Sequence, residues 1–430
     1  MNIFVGITEI AGFQSAVAAA LRRRGHQVHA VLIKPYDPGY RDDGNSGFSA
    51  RITTFCQWLG RLRGRSLLHK ILWKSVTSAL RVVALAWAVF ACEAFIFSFG
   101  RSFLPWNLDA PLLRLLGKRV LFVFLGSDSR PAYLDCGGVL FPDGSRKTPA
   151  QTRRMVRRQR ATVRRIDRWS SWVIDNPWAA HFHTRRIINW FTVGMPCAPL
   201  PEMPPEPESG LRVLHAPSYP LYKGTARIAE AVARVQAERP ELEFVTITGR
   251  PRQEVLDAIT SCHFVIDQMY SDTPSAGFVT EAAACGRPAI VGGYGWSDDW
   301  LRISGLGEWP SLVCREEELE EAIRRLADDV GLRQSTAAAA RRRAAEWSSD
   351  KVAERMETIL SGRAPEEWFF DPREIAVFNS GGGIPQHVLA QSLQELIGKY
   401  GLEVLGLEDK PRLERMALAL AGLAPPEPGR

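Results

Sequence analysis

The chain has 430 residues, 46% of them apolar, and a formal net charge of +7. This length exceeds what one ordinary hydrophobic core accommodates, so we expect two α/β domains with an appendage, and the composition excludes a low-complexity chain. The seven cysteines are scattered and never form a C-x-x-C pair, which indicates reduced thiols in a cytoplasmic setting and argues against a zinc site.

Strands and helices are predicted to alternate from the N-terminus onward. Residues 2–7 predict a buried strand, Phe13–Arg24 an amphipathic helix capped by Gly25, and QVHAVLI a second strand. Because Met1 is followed at once by an apolar strand, we expect no secretory signal. The turn GITEIAG lacks the G-x-G-x-x-G pattern, so the sequence does not predict a tight dinucleotide site there.

The most hydrophobic run extends from Val82 to Phe99. It contains Glu93 and changes character at Cys92. We interpret it as the end of a helix followed by the buried strand EAFIFSF, because a membrane span needs about 20 consecutive apolar residues. Two more strands are expected at RVLFVFL and SWVID.

A polar cluster, GSDSR at residues 126–130, follows the strand RVLFVFL directly. Because ligands bind beyond the carboxyl ends of parallel strands, we expect this cluster on a ligand-facing rim, with Asp128 as a candidate catalytic residue. The alternative is that Ser127 or Asp128 only caps a helix.

A strongly basic helix is predicted at residues 151–168, which hold eight arginines and one aspartate. Together with Arg22–Arg24 and Arg61–Arg65, these arginines make the N-terminal half positive. Three interpretations stay open, namely a solvated face, peripheral contact with an anionic membrane, and nucleic-acid binding. Nucleic acid is the least favoured of the three, because no recognised reading motif accompanies the charge.

Two histidines, His181 and His183, lie two residues apart in the segment AAHFHT, beside Thr184. Histidines that lack a third ligand nearby are more often packing or surface residues than metal ligands. We therefore expect no metal site in this chain.

The stretch PCAPLPEMPPEPESG, residues 196–210, is too rich in proline for a helix or a sheet interior and predicts a semi-rigid connector. It divides the chain into a first domain (1–197), a linker (198–210), a second domain (211–360) and a C-terminal extension (361–430). The extension contains two helical patterns and is too apolar to be disordered. We expect it to pack on the body or on another subunit, as in a homodimer.

The stretch from Leu211 to Gly293 carries the polar residues that point most directly to a ligand. Lys223 precedes one predicted helix, and Gly277 begins another that carries Glu281. A helix N-terminus beside a lysine attracts a diphosphate, and a carboxylate accepts hydrogen bonds from ribose hydroxyls. The segment therefore predicts a site for a nucleotide diphosphate, in particular a nucleotide-sugar. The alternatives are a solvated lysine and a glutamate that only suits the helix dipole.

The series HAPS…KGT, ID-Q and EA-A-G-P-I across residues 211–293 resembles the GT-B glycosyltransferases, and among them the retaining branch called family 4. GSDSR and GITEIAG extend the resemblance to the first domain, whereas residues 361–430 lie outside it. The resemblance implies two Rossmann-like, doubly wound α/β domains that face a cleft. A UDP- or GDP-linked sugar donor would lie on the second domain, and a glycan, lipid-linked or small-molecule acceptor on the first. No bound metal or other cofactor would be required.

The resemblance also assigns residues. Lys223 would lie on the donor diphosphate, where a cation stabilises the charge that grows as the sugar leaves. The expected site comprises the catalytic candidates Lys223, Asp128 and Arg250, and the donor-binding candidates Ser218, Gly224, Thr225, Gly249, Asp267, Gln268, Ser275, Gly277, Phe278 and Glu281.

Three positions depart from the family pattern. Thr273 stands where the first glutamate of an E-x7-E motif is expected, and Ser218 where an arginine usually precedes the lysine by five residues. Leu125 stands where a histidine often precedes G-S-D. Three charged or titratable groups are therefore absent from their expected places.

Other side chains on the same rim offer replacements for the missing groups. Arg250 or Arg130 offers a cation, and Asp267 or Asp272 offers a carboxylate. If none of them acts, the chain is a nucleotide-sugar-binding or scaffold protein without transfer activity. A nucleotide-sugar epimerase or phosphorylase is a further alternative, which predicts a cleft rich in histidine and glutamate.

Overall fold

The computed structural model describes residues 1–34, 47–61, 67–200, 202–208, 210–294, 296–375, 377–378 and 381–423. Arg63 and Arg65 of the predicted basic cluster lie outside the described residues, as do parts of the predicted linker and extension. Two sheets organise the described chain.

The described strands are β1 (Asn2–Thr8), β2 (Gln27–Lys34), β3 (Ala94–Ser98), β4 (Arg119–Val123), β5 (Trp172–Asp175), β6 (Ile187–Asn189), β7 (Leu211–His215), β8 (Leu242–Thr246), β9 (Phe264–Ile266), β10 (Ala289–Gly292), β11 (Leu312–Cys314) and β12 (Phe369–Phe370). The described helices are α1 (Phe13–Arg23), α2 (Gly47–Arg61), α3 (Leu67–Ala91), α4 (Asp109–Leu115), α5 (Cys136–Val139), α6 (Pro149–Trp169), α7 (Trp190–Val193), α8 (Pro220–Lys223), α9 (Thr225–Glu238), α10 (Arg252–Thr260), α11 (Gly277–Ala284), α12 (Asp298–Ser304), α13 (Leu319–Asp328), α14 (Val330–Glu346), α15 (Ser349–Leu360), α16 (Gln386–Tyr400) and α17 (Pro411–Leu420). Short 3-10 turns join several of these elements.

The strands form one sheet in each half of the molecule. The first sheet has the order β12-β6-β5-β4-β3-β1-β2, in which β12 alone is antiparallel to its neighbour. The second sheet is parallel throughout, in the order β11-β10-β9-β7-β8. Parallel sheets need helices on both faces, which explains the continuous apolar strands in the sequence. We call the two halves the N lobe and the C lobe. The predicted GT-B architecture of two Rossmann-like, doubly wound domains is confirmed.

The first βαβ unit closely follows the predicted boundaries. Helix α1 ends at Arg23, and Gly25 has a φ of 86°, in the left-handed region where a glycine closes a helix at little cost. Its apolar face packs on β1, whose residues from Ile3 to Thr8 are buried. The alternation of strands and helices thus forms as expected because each apolar strand is covered by the helix that follows it.

Helix α3 ends at Ala91 and strand β3 begins at Ala94, which confirms the interpretation of the run from Val82 to Phe99. One window of α3, Trp73–Ala91, is nevertheless long and apolar enough to cross a membrane by length and composition. Only 22% of that window is buried within the structure. No other helix among the described residues meets this test.

The C-terminal extension packs on the N lobe of the same chain. Strand β12 pairs with β6, and helix α16 lies against α6, the predicted basic helix. Arg153 of α6 lies over the ring of Tyr400, 4.4 Å from its centroid, and Arg160 forms an ion pair with Glu408. The extension therefore covers part of the basic face of α6.

The chain crosses between the lobes twice at one place. The backbone N–H of Cys197 donates to the carbonyl of Trp347 at 3.0 Å, and that of Ser349 donates to the carbonyl of Cys197 at 2.9 Å. Gly194, at a φ of 88°, lies directly beneath the buried Trp347 ring. A Cβ at this position would come within 2.1 Å of the Trp347 side chain, so the crossing accepts only glycine here.

Replacing Gly194 with alanine should destabilise the protein much more than replacing Gly25. Both positions have positive φ, so each alanine costs about 1 kcal/mol of unfolding free energy through backbone strain. Only Gly194 adds overpacking, because nothing lies within 4 Å of a Cβ at Gly25, and its total loss should reach about 3 kcal/mol or more. Urea denaturation of both variants measures the difference, and equal losses would contradict the packing at the crossing.

Candidate functional site

A cavity of about 670 Å³ lies between the lobes, where loops that follow the strands of both sheets face each other. This volume lies in the range of small-molecule binding sites. Of the expected site residues, the cavity is lined by Ser218, Lys223, Gly249, Arg250, Gln268, Ser275, Gly277, Phe278 and Glu281. Asp128, Gly224, Thr225 and Asp267 were also expected in the site, and they are not among the residues that line it.

Lys223 is the last residue of helix α8, and two side chains of the C lobe accept hydrogen bonds from its ammonium group. Nζ donates to Oδ1 of Asp267 at 3.1 Å and to Oε1 of Gln268 at 2.6 Å. Both acceptors follow strand β9, and the Asp267 side chain is only 2% exposed. A lysine ammonium has three N–H donors, and these contacts use two of them. The geometry therefore fixes the cation at the cavity wall and leaves a donor for a ligand.

Gly224 and Thr225 shape the turn that carries Lys223. Gly224 has a φ of 68°, and a Cβ there would lie 3.1 Å from the side chain of Met269, so a glycine is needed. The Thr225 hydroxyl donates to Nε2 of His215 at 2.9 Å, and the other ring nitrogen of His215 donates to a strand carbonyl. The described contacts of these two residues are thus with protein atoms next to the turn that carries Lys223.

Asp128 lies behind the cavity wall, and it does not cap a helix either, because residues 127–129 form a turn and no helix among the described residues begins there. Its Oδ1 accepts a hydrogen bond from the backbone N–H of Leu125 at 2.9 Å. Burial, reinforced by the nearby carboxylate of Asp175, raises the pKa of Asp128 to about 7. The neighbouring Ser127 lines the cavity instead.

Arg130 links the two lobes across the base of the cavity. Its Nε and Nη2 lie 2.8 and 2.6 Å from Oδ2 of Asp272 in the C lobe, and Nη1 donates to Asp135 at 2.8 Å. Burial opposes the charge, but the two carboxylates outweigh it and raise the pKa of Arg130 above its usual range. Asn176 adds a second interlobe bond to the Asp272 carbonyl at 3.2 Å. Arg130 and Asp272, one of the two candidate cations and one of the two candidate carboxylates offered as replacements, are therefore paired with each other.

Glu281 points into the C-lobe side of the cavity, where Arg252 contacts it. Nε of Arg252 donates to Oε1 of Glu281 at 2.6 Å. Burial raises the pKa of Glu281, and the Arg252 guanidinium opposes this shift. Arg252 was not predicted from the sequence as a site residue. The one sequence feature that pointed to it is its position two residues after Arg250. Arg250 lies at the cavity edge, 66% exposed and 3.9 Å from Glu254.

Helix α11 begins at Gly277 on the cavity wall. Its N-cap residue, Ala276, is extended and makes no side-chain capping bond. The first-turn amides of a helix lack intrahelical acceptors, so this end of α11 can receive an anion. The three departures from the family pattern, Leu125, Ser218 and Thr273, line the same cavity without charge.

A buried polar network supports the N-lobe rim beneath the cavity. The ring nitrogens of His183 lie 2.6 Å from Asp167 and 3.0 Å from Asp175, so both nitrogens carry protons. Although burial opposes the charge, Asp167 raises the pKa of His183 to about 9. Asp175 in turn accepts the Ser129 hydroxyl at 2.9 Å. Of the two histidines of AAHFHT, His181 is a buried packing residue against the Phe378 ring, and His183 is a buried member of this network.

Comparisons with known proteins yield structural likeness only. No protein-family model matches the chain, and no curated protein matches it. The chain is similar to the Anabaena Alr3699/HepE structure with UDP and glucose (12% identity, TM-score 0.49, 84% of this chain and 100% of that one). It is also similar to MurG of Acinetobacter baumannii (14%, 0.41, 84% and 99%) and to a putative UDP-N-acetylglucosamine 2-epimerase from Listeria monocytogenes (11%, 0.48, 84% and 98%). With identities under 25% and TM-scores under 0.5, these likenesses carry no argument about activity.

The charged state of His183 should make stability depend on pH. A histidine whose pKa is raised on folding stabilises the folded state fully below its unfolded pKa of about 6.5 and loses this contribution as pH rises through about 9. We therefore expect the stability difference between wild type and His183→Gln to shrink by more than about 1 kcal/mol between pH 6 and pH 9.5. Denaturant titrations at several pH values measure it. The exposed His387→Gln serves as control, and a difference independent of pH would contradict the assignment.

Proposed function

We propose that the chain is a glycosyltransferase that moves a sugar from a nucleotide-diphosphate-sugar to an acceptor hydroxyl. The observation that carries the proposal is the fixed ammonium of Lys223, which shares the interlobe cavity with the open N-terminus of α11 and with Glu281. A diphosphate binds between a cation and free helix amides, and a carboxylate in the same cavity can accept hydrogen bonds from the ribose hydroxyls. The donor would be UDP- or GDP-linked.

The proposed chemistry relies on electrostatic stabilisation of the leaving group. The bond from the anomeric carbon to the phosphate oxygen breaks, and the acceptor oxygen forms the new glycosidic bond. Negative charge grows on the departing diphosphate, where the third N–H of Lys223 and the α11 amides stabilise it. The acceptor hydroxyl releases its proton to the departing diphosphate. Asp267 and Gln268 act as positioning residues, because they hold the ammonium before the donor arrives.

We further propose transfer with retention of configuration and without a metal, in a cytoplasmic setting. The family resemblance of residues 211–293 supports the first two features. All seven cysteines are unpaired and buried, which supports a reducing compartment. The acceptor, a glycan, a lipid-linked sugar or a small molecule, would bind on the N-lobe side of the cavity.

The second candidate is a nucleotide-sugar-binding or scaffold protein without transfer activity. The uncharged Leu125, Ser218 and Thr273 in the cavity wall favour it, and so does the mutual pairing of Arg130 and Asp272. An epimerase is less well supported, because no histidine lines the cavity among the described residues.

Lys223→Ala should separate these candidates. If the ammonium stabilises developing charge, kcat should fall on the order of 100-fold or more, while donor affinity should fall by less than about tenfold. Turnover assays in EDTA and thermal shifts with a panel of nucleotide-sugars measure the two quantities. Lys351→Ala, which removes an exposed lysine of the same charge, serves as control.

The outcomes of that experiment are distinct. Equal loss of turnover and donor affinity, or donor binding without any turnover in the wild type, would favour the hypothesis that the chain is a nucleotide-sugar-binding or scaffold protein. Turnover lost in EDTA and restored by magnesium would contradict the metal-independent proposal, and the anomeric configuration of the product by NMR decides retention.

Glu281 should discriminate between ribose and deoxyribose. Wild type should bind the ribonucleoside diphosphate about 10-fold more tightly than its 2′-deoxy or 3′-deoxy analogue, since a buried acceptor left without its donor is costly. Glu281→Ala should bind all of them with similar affinity, whereas Glu254→Ala should keep the preference. Isothermal titration measures the ratios, and a preference that survives in Glu281→Ala would exclude this residue from the ribose site.

A further inference from the structure

A helical hairpin at one edge of the N lobe shows apolar side chains to solvent. It consists of helices α2 and α3, which pack on each other, while α2 also covers the edge strand β2. We call the solvent-facing side of these two helices the α2–α3 surface. It lies outside the cavity and plays no part in the proposed transfer.

The outer face of α3 lacks the polar residues that a soluble helix carries there. In its last four turns, the inner positions Ala84, Leu85 and Ala88 are buried in the N-lobe core. Between Ala79 and the end of the helix at Ala91, the exposed positions are Ala79, Val82, Val83, Ala86 and Phe90. The Phe90 side chain is 91% exposed. A helix that is apolar on both faces needs a second apolar environment, and no described residue supplies one.

Helix α2 continues this surface with aromatic side chains. Phe48, Phe55 and Trp58 are exposed and recur at intervals of seven and three residues, which places them on one side of the helix. The rings of Phe55 and Trp58 stack with centroids 5.7 Å apart. Phe48 contacts Trp87 of α3 at 5.2 Å, so the aromatic residues of α2 adjoin α3.

The charge of this segment selects among occupants of the surface. From Gly44 to Cys92 the sequence contains seven Lys or Arg residues and no Asp or Glu. Among the described side chains, Arg51 and Lys74 are exposed on the two helices. Cations beside exposed aromatic and aliphatic side chains suit phosphate headgroups above hydrocarbon. A second copy of the chain would instead present the same positive charge and be repelled.

We propose that the α2–α3 surface docks the protein on an anionic lipid bilayer, with both helices lying in the membrane plane. A transmembrane orientation of α3 would expose the core against which Ala84, Leu85 and Ala88 pack, and would place Arg81 and Lys74 in hydrocarbon. The N lobe would thus face the lipid surface. The basic helix α6 is less suited to this role than the α2–α3 surface, because the extension packs on it and contacts Arg153 and Arg160.

Liposome co-sedimentation tests the proposal. The full chain should bind vesicles of phosphatidylcholine with 30 mol% phosphatidylglycerol and should release from them at high salt, since charge and apolar contact are both needed. Val83→Ser/Phe90→Ser should weaken partitioning about tenfold or more. Val330→Ser, which alters an exposed valine of the C lobe, is the matched control and should bind as wild type does.

A pair of charge reversals locates the docking element. Arg51→Glu/Lys74→Glu on the α2–α3 surface and Arg154→Glu/Arg157→Glu on α6 change the net charge equally. We expect only the first to abolish binding to anionic vesicles. Equal loss in both would overturn the proposal in favour of unspecific charge attraction.

Three further results would overturn the proposal. The first is vesicle binding that persists in Val83→Ser/Phe90→Ser. The second is resistance of the bound protein to carbonate extraction, which indicates a transmembrane span. The third is a lipid-free dimer in analytical ultracentrifugation that the same variant abolishes. Because each readout is independent of turnover, a failure here leaves the transfer reaction untouched. Circular dichroism of each variant verifies that it is folded.

Discussion

The ion pair between Arg130 and Asp272 is the constraint on which the rest of the site depends. It joins the N lobe to the C lobe at the base of the cavity, with Asp135 as its second carboxylate. A Cβ at Gly381 would come within 2.3 Å of the Arg130 guanidinium, so the extension also closes around this pair. Breaking such a pair leaves an uncompensated buried charge, which is more costly than the pair is stabilising. The pair therefore favours the relative position of the lobes in this structure, and that position decides which rim residues face each other.

The same principle of pre-formed electrostatics governs Lys223 and Glu281. Each charged group is held by an opposite charge or dipole from its own lobe, Lys223 by Asp267 and Glu281 by Arg252. Such pairing keeps the side chains in place without a ligand, so little reorganisation is needed when a donor binds.

The N lobe combines two tasks on different faces. Its rim contributes one wall of the cavity, supported by the buried pair of His183 and Asp167. Its outer edge presents exposed apolar and cationic side chains, and contiguous apolar patches of this kind typically mark a surface that binds a partner or a membrane.

The sequence by itself determined the secondary-structure elements and those candidate site residues that can be recognised within a single loop or helix start. The apolar strands, the left-handed Gly25 and the helix that ends before Ala94 follow from local pattern, because burial and backbone sterics act within a few residues. Lys223, Gly277 and Glu281 were found because each lies where a strand gives way to a helix. Only the tertiary structure decided that Asp128 lies behind the wall, that Arg130 meets Asp272, that Arg252 reaches Glu281, and that the extension covers α6. These contacts join residues 29 to 248 positions apart or depend on side-chain direction, and neither is encoded in local periodicity.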